Sequence, residues 1–413
     1  MNRTLKLPEV QACDKAIPLR PASLTAGNDQ KHVTMPGRSF ADATPSAAED
    51  RLAVNSSLLM PAEWEPHEAT WIGWPHNVSD WPGKFAPIPW VYAEIARKIV
   101  PGEHLRVLVN SAAHEARARS VLKSAGVDLS LVEFFHFPTN RGWTRDFGPL
   151  FARTSESTVG AGVAIVRFQF NAWAKYSDWQ LDNQVPERAA AALGCPMVTA
   201  SVNGEGLVLE GGSIDVNGEG ALITTEECLL DPAVQPRNPQ LTRTDLEAAL
   251  RTYLGATQVI WLGRGIAGDD THGHVDDLCR FTGPRTVVLC REDDPGDANY
   301  RPLEENRERL EGTRLADGSK LDVIHLPMPS PIYFKGQRLP ASYANFYVSN
   351  AAVLVPTFND PKDRVALGIL GELFQDRPIV GIHAVDLIWG LGTLHCLTQQ
   401  QPRARNAAGE DHR

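Results

Sequence analysis

Four glycine-bearing loops hold most of the residues able to do chemistry. They are 142–149 with Trp143, Arg145 and Asp146; 209–215 with Glu210; 270–277 with His272, His274 and Asp276; and 390–398 with Cys396. Cys396 follows Gly390 and Gly392, which let the backbone turn tightly. It stands outside any apolar strand-like run, so it is the best nucleophile candidate of the six cysteines. An inert core thiol is the competing reading. His274 is the best general acid/base. In His274-Val275-Asp276 the imidazole and carboxylate lie two apart, on the same side of an extended segment. A Cys and a His far apart in sequence form the usual pair for covalent thiol catalysis. Asp146 and Glu210 sit beside glycines, where a ligand can approach or where a carboxylate merely shapes a turn. Asp215 reads as turn chemistry, because Asn217-Gly218 after it is a strong hairpin signal. Trp143 reads equally as pocket wall or core.

A metal reading competes. His272-Gly273-His274-Val275-Asp276-Asp277 is similar to the opening of a dinuclear metallo-hydrolase motif through His272, His274 and Asp276. Asp277 stands where that motif needs a histidine, and His325, His383 and His395 lack ligand-like spacing, so this is the minor alternative. There is no C-x-x-C and the cysteines are too sparse for a disulfide scaffold. Cys279 and Cys290 lie in apolar runs and read as core thiols. A reducing cytoplasm is the simplest compartment.

These loops need a scaffold, and the composition supplies one. The 413 residues are 43% hydrophobic and 22% charged, with a formal net charge of −10. That balance argues against nucleic acid as a partner and fits a small cationic ligand. No run of about 18 apolar residues occurs, so no membrane span is expected. Residues 1–59 hold one aromatic, Phe40, with seven Lys/Arg and six Asp/Glu and no apolar period. They read as a disordered extension, or as the result of a start codon placed ahead of Met60. From Met60 to Pro402 strand-like runs alternate with amphipathic helices. Runs such as Ala69–Trp74, Val163–Phe170, Thr286–Cys290 and Ile379–Ile382 are separated by helices such as Val91–Val100, Asp245–Leu254 and Pro361–Phe374. Thr244 and Glu247 read as a capping box for the second of these helices. Alternation at under about 80 residues per unit suggests repeated α/β units. Residues 403–413 read as a frayed tail.

In this order the motifs resemble the agmatine deiminase family, within the superfamily of guanidino-group-modifying enzymes. The likeness runs from Met60-Pro61-Ala62-Glu63-Trp64-Glu65-Pro66-His67 to Gln401-Pro402. It includes Phe170-Asn171-Ala172-Trp173, Lys175-Tyr176, Arg237-Asn238-Pro239 and Ala341-Ser342-Tyr343-Ala344-Asn345-Phe346. Bacterial-type peptidyl-arginine deiminases share these motifs. The resemblance implies a fivefold pseudosymmetric α/β propeller with a central site. It implies Cys396 as nucleophile and His274 as general acid/base. Asp146 and Asp276 would hold the guanidinium, Glu210 would orient the histidine and a substrate nitrogen, and Trp143 would line the pocket. The implied reaction is hydrolysis of agmatine to N-carbamoylputrescine and ammonia through an amidino-thioether, with no cofactor or metal. Free or peptidyl arginine is the alternative substrate. It would need a cation at the tail, and Arg145, Arg264 and Arg280 are the candidates. A homo-oligomer is a family-level expectation. One departure stands out. The family's three glycines and Asn are replaced by Gly390-Leu391-Gly392-Thr393, and the Leu391 side chain narrows the site.

Overall fold

The computed structural model describes residues 58–154 and 162–404. Apart from Leu58 and Leu59, the expected extension lies outside the described residues, as does the tail beyond residue 404. The architecture is mixed α/β. Among the described residues seventeen strands form five sheets of three or four strands, and two small hairpins stand apart.

All five sheets contain one pattern, an antiparallel pair followed by a parallel pair, to which the first adds an antiparallel edge strand and the fifth a second parallel pair. The first joins Leu58–Leu59, Leu150–Thr154, Val163–Arg167 and Met197–Thr199. The second joins Asp215–Val216, Ala221–Thr225 and Gln258–Leu262. The third joins Cys279–Gly283, Thr286–Arg291 and Asp322–Pro327. The fourth joins Tyr347–Val348, Val353–Thr357 and Ile379–His383. The fifth takes its first strand, Thr398–Pro402, from the far end of the chain. That strand runs antiparallel to His67–Gly73, which lies parallel to His104–Leu108, which in turn lies parallel to Val132–Phe135.

Parallel neighbours need a crossover, and helices supply it. Val185–Leu193, Arg243–Leu254, Tyr300–Leu310, Asp363–Leu373 and Ile88–Ile99 each connect two parallel strands of one sheet. In Ile88–Ile99 the buried side is Ile88, Tyr92, Ala93, Ile95, Ala96 and Ile99, the three-four spacing of a one-faced helix. No described helix is long and apolar enough to cross a membrane.

Three local expectations change. The capping box on Arg243–Leu254 uses Thr242 and Asp245, two residues before the pair read from sequence. Glu247 instead accepts a bond from the Trp261 indole N–H at 2.8 Å. Leu58 and Leu59 pair with Thr154 and Arg153, so the first sheet begins ahead of Met60. Asp215 does more than shape a turn. It is buried and receives Arg280 Nε at 3.1 Å, although the hairpin at Asn217-Gly218 does form after it.

Candidate active site

In each sheet a site residue lies in the segment just before the first strand of this antiparallel pair. Thr144–Phe147 precedes Leu150–Thr154 and carries Asp146. Gly211–Ser213 follows Glu210 and precedes Asp215–Val216. Val275–Asp277 follows His274 and precedes Cys279–Gly283. Asn345 precedes Tyr347–Val348, and Leu394–Leu397 carries Cys396 into Thr398–Pro402. One topological position, used five times, delivers the five groups.

The structure brings Cys396, His274, Asp146, Asp276 and Glu210 together, all buried. His274 Nδ1 lies 3.8 Å from Asp146 Oδ1 and 4.0 Å from Asp276 Oδ1, and its Nε2 lies 3.7 Å from Glu210 Oε2. Cys396 Sγ is 3.7 Å from Asp276 Oδ2. Four of these buried polar atoms have no hydrogen-bond partner: His274 Nδ1, His274 Nε2, Glu210 Oε2 and Asp276 Oδ1. Buried polar atoms left unpaired are costly, so the cluster is built for something that bonds to it. Gly212 sits in its middle. A Cβ there would lie 2.6 Å from His274 Nδ1 and 2.8 Å from Asp146 Oδ1.

A second ring of residues fixes the first. Arg237 Nε donates to Glu210 Oε1 at 3.0 Å. Trp173 Nε1 and Gly212 N donate to the two Asp146 oxygens at 2.9 and 3.1 Å. His395 bridges Asp276 Oδ2 and Glu63 Oε2 at 2.7 and 2.8 Å. Glu63 also meets Arg145 and Arg280. Asn345 Oδ1 accepts from Thr393 Oγ1 at 2.8 Å and from the His395 N–H at 3.1 Å. Its Nδ2 donates to Asp277 at 2.9 Å and to Cys396 Sγ at 3.1 Å. Glu63, Asn345, Arg237, Trp173 and His395 were not singled out from sequence. All five lie in motifs that carried the resemblance, and motif membership was the one signal available.

The electrostatics follow from burial and neighbours. Burial pushes the Cys396 thiol well above its ordinary range, and Asp276, Asp277 and Asp146 push it further. Burial opposes the His274 imidazolium, but Asp146, Cys228 and Glu210 together outweigh it and hold it well above the usual histidine range. Asp146 is pushed up to about 6, by burial first and then by Asp276 and Glu210, against His274. Glu210 stays down at about 2, because Arg237 and His274 overcome the cost of burial. Asp277 is raised well above the carboxylate range by burial and by Asp276.

The cluster opens on a cavity of about 230 Å³. Its wall includes Cys396, Asp146, Trp143, Trp173 and Leu391, with Asp80 and Asp270 as further carboxylates. Gly392 is needed here: a Cβ would lie 2.8 Å from the Trp143 ring and 3.2 Å from Cys396 Sγ. Leu391 holds φ +70°, a left-handed conformation that leucine rarely takes. None of the three arginines considered for a substrate tail lines the cavity. Arg145 and Arg280 are buried against Glu63, and Arg264 is exposed beside Glu305.

The metallo-hydrolase alternative loses its geometry. His272 turns away to Asp231 at 2.9 Å. Among the described residues no cluster of three or more metal-ligating groups includes both His272 and His274.

Comparison with known proteins gives the class first. The sequence matches the Porphyromonas-type peptidyl-arginine deiminase family over residues 59–402, which makes the chain a guanidino-group-modifying enzyme. An agmatine deiminase of Ectopseudomonas mendocina is 37% identical over 372 residues, spanning 84% of this chain and 96% of that one. An agmatine deiminase of C. jejuni solved with substrate bound is 30% identical with a TM-score of 0.75, covering 86% of this chain and 98% of that one. A structure of the Enterococcus faecalis agmatine deiminase has the same identity and TM-score, over 85% and 98% of the two chains. The chain belongs to the agmatine deiminase family.

Proposed function

We propose that the protein hydrolyses agmatine to N-carbamoylputrescine and ammonia through a covalent intermediate on Cys396. The observation that carries this reading is the set of four unpartnered polar atoms facing one another beside a thiol. A guanidinium offers several N–H donors in a plane, and Asp146, Asp276 and Glu210 offer carboxylate oxygens to receive them. Its positive charge offsets the carboxylates that keep the thiol protonated, so on substrate binding the thiol releases its proton to solvent and the thiolate forms with substrate in place. The sulfur adds to the central carbon. His274, held as imidazolium, gives its proton to one terminal nitrogen, which leaves as ammonia. The amidino-thioether that remains is attacked by water, whose proton the now neutral His274 takes. Collapse of that adduct expels the thiolate and leaves a urea.

The cavity favours agmatine over arginine. Arg141 is the one cation among the described lining residues, and Asp80 and Asp178 both pair with it. Among the described lining residues no free cation awaits a substrate carboxylate, while Asp80 suits a cationic tail. The five sheets with one shared pattern support a fivefold propeller, with the Thr398–Pro402 strand closing it onto His67–Gly73. A reducing compartment, as in the cytoplasm, suits the five described cysteines, all free.

The test is ammonia release from agmatine, arginine and an arginyl peptide side by side. Agmatine should be turned over fastest. Faster turnover of either arginine substrate would reverse the specificity assignment. Loss of activity on chelation with recovery on added zinc would overturn the thiol mechanism.

A further inference from the structure

Three carboxylates line the cavity, and in two of them each oxygen already accepts a hydrogen bond from the protein. Asp146 receives Trp173 and Gly212 and faces His274. Asp270 receives Lys175 Nζ at 2.5 Å on one oxygen and the Tyr176 hydroxyl at 2.7 Å on the other. Asp80 differs. Arg141 Nη1 binds its Oδ1 and the Trp143 indole also acts on the carboxylate, but Oδ2 is buried with no partner at hydrogen-bond distance. The side chain is only 2% exposed.

The surroundings hold Asp80 in place. Its neighbour Trp81 is fully buried, donates its indole N–H to the Leu387 carbonyl at 2.8 Å and packs on Trp143 with ring centroids 5.2 Å apart. Arg141 is held on its other side by Asp178 at 3.1 Å and lies over the Tyr176 ring at 4.4 Å. A rigid, half-satisfied carboxylate facing a cavity is a receptor for a donor that the protein does not supply.

We propose that Oδ2 of Asp80 receives the ammonium group at the end of the substrate opposite the guanidinium. This rests on the deiminase reading and goes further: it assigns the tail to one oxygen atom. Asp80 then sets the chemical class of the tail, a primary amine on an unbranched chain. A cation there satisfies the orphaned oxygen and relieves the burial that pushes the Asp80 carboxyl up to about 6. A neutral methyl end leaves that oxygen unpaired and buries it more deeply.

The experiment compares agmatine with pentylguanidine, in which a methyl group replaces the ammonium at the same chain length. The unaltered protein should favour agmatine by about 10- to 100-fold in kcat/KM, the range for a hydrogen bond between charged groups. Asp80→Asn should erase most of that preference, acting through KM, and should change pentylguanidine turnover far less. Asp178→Asn removes the other partner of Arg141 outside the cavity and should keep the preference. Equal turnover of the two guanidines by the unaltered protein would overturn the assignment without any variant. So would an Asp80→Asn loss equal for both substrates, which would mark Asp80 as a support for Arg141. Turnover of neither compound by the unaltered protein would sink the deiminase reading, and the assignment with it.

Discussion

Cys396 and Cys290 are both buried thiols with raised pKa, yet their surroundings separate them. Burial pushes Cys290 up to about 12, and inside a sheet it shares hydrogen bonds with Ser342 and the Asp277 carbonyl. Cys396 borders a cavity and three carboxylates. Cys396→Ser keeps nearly the same volume but replaces a thiol with a hydroxyl of far higher pKa. Turnover should fall at least ~10³-fold, while agmatine binding survives on Asp146, Asp276 and Glu210. Rapid acid quench of the unaltered protein should leave an amidine-bearing adduct on the Cys396 peptide; an adduct elsewhere would reassign the nucleophile. Asp146 sets a second expectation. It must be ionised to hold a guanidinium, and its carboxyl is pushed up to about 6. Protonation below that pH removes the acceptor, so kcat/KM should climb as pH rises through about 6 and then level off. A flat profile between pH 5 and 7 would contradict it. Cys396, His274, Asp146, Asp276 and Glu210 could be picked as candidates because reactive residue types in glycine-bearing loops are few, and the family resemblance gave them their roles. Glu63, Asn345, Arg237 and His395 were not, because each works only through a partner tens to hundreds of residues away.

At the scale of elements, the alternation of strand and helix was legible because apolar periods of two and of three to four are local signals. The capping box was misplaced because Thr242, Thr244, Asp245 and Glu247 offer two pairs with the right spacing. Only the Trp261 indole, from the next strand, claims Glu247. Internal repetition was hidden because the sheets share a backbone pattern while each site segment carries a different residue. The segment around Leu391 offers a direct test of strain. A left-handed non-glycine residue costs about 1–2 kcal/mol. Leu391→Ala and Leu391→Gly remove about the same buried surface, but only glycine sheds the strain. The glycine variant should therefore be more stable than the alanine variant by about 1 kcal/mol in urea unfolding. That reverses the usual order of these two residues, and the ordinary order would show that Leu391 is relaxed.

For the whole molecule, the start of the folded unit matters. Leu58 is buried, its strand pairs with Leu150–Thr154, and a Cβ on Gly255 would collide with its carbonyl. A chain starting at Ser57 should melt and turn over like the full chain. One starting at Met60 should lose about 1–3 kcal/mol, the value of burying an aliphatic side chain and pairing its strand. Equal melting of the two would show that Leu58 and Leu59 contribute nothing.

The pairing of Thr398–Pro402 with His67–Gly73 also bears on how the protein is made. Translation delivers Asp146, Glu210, His274 and Asp276 long before Cys396. The residue after Leu397 already belongs to the strand that completes the fifth sheet. A nascent chain therefore holds an unfinished sheet, with the His67–Gly73 edge unpaired on one side, until almost its last residues have emerged. The nucleophile arrives together with the segment that covers that edge. A chain that stops before Cys396 thus lacks both the thiol and the Thr398–Pro402 strand, so such fragments are expected to be inert and prone to aggregate.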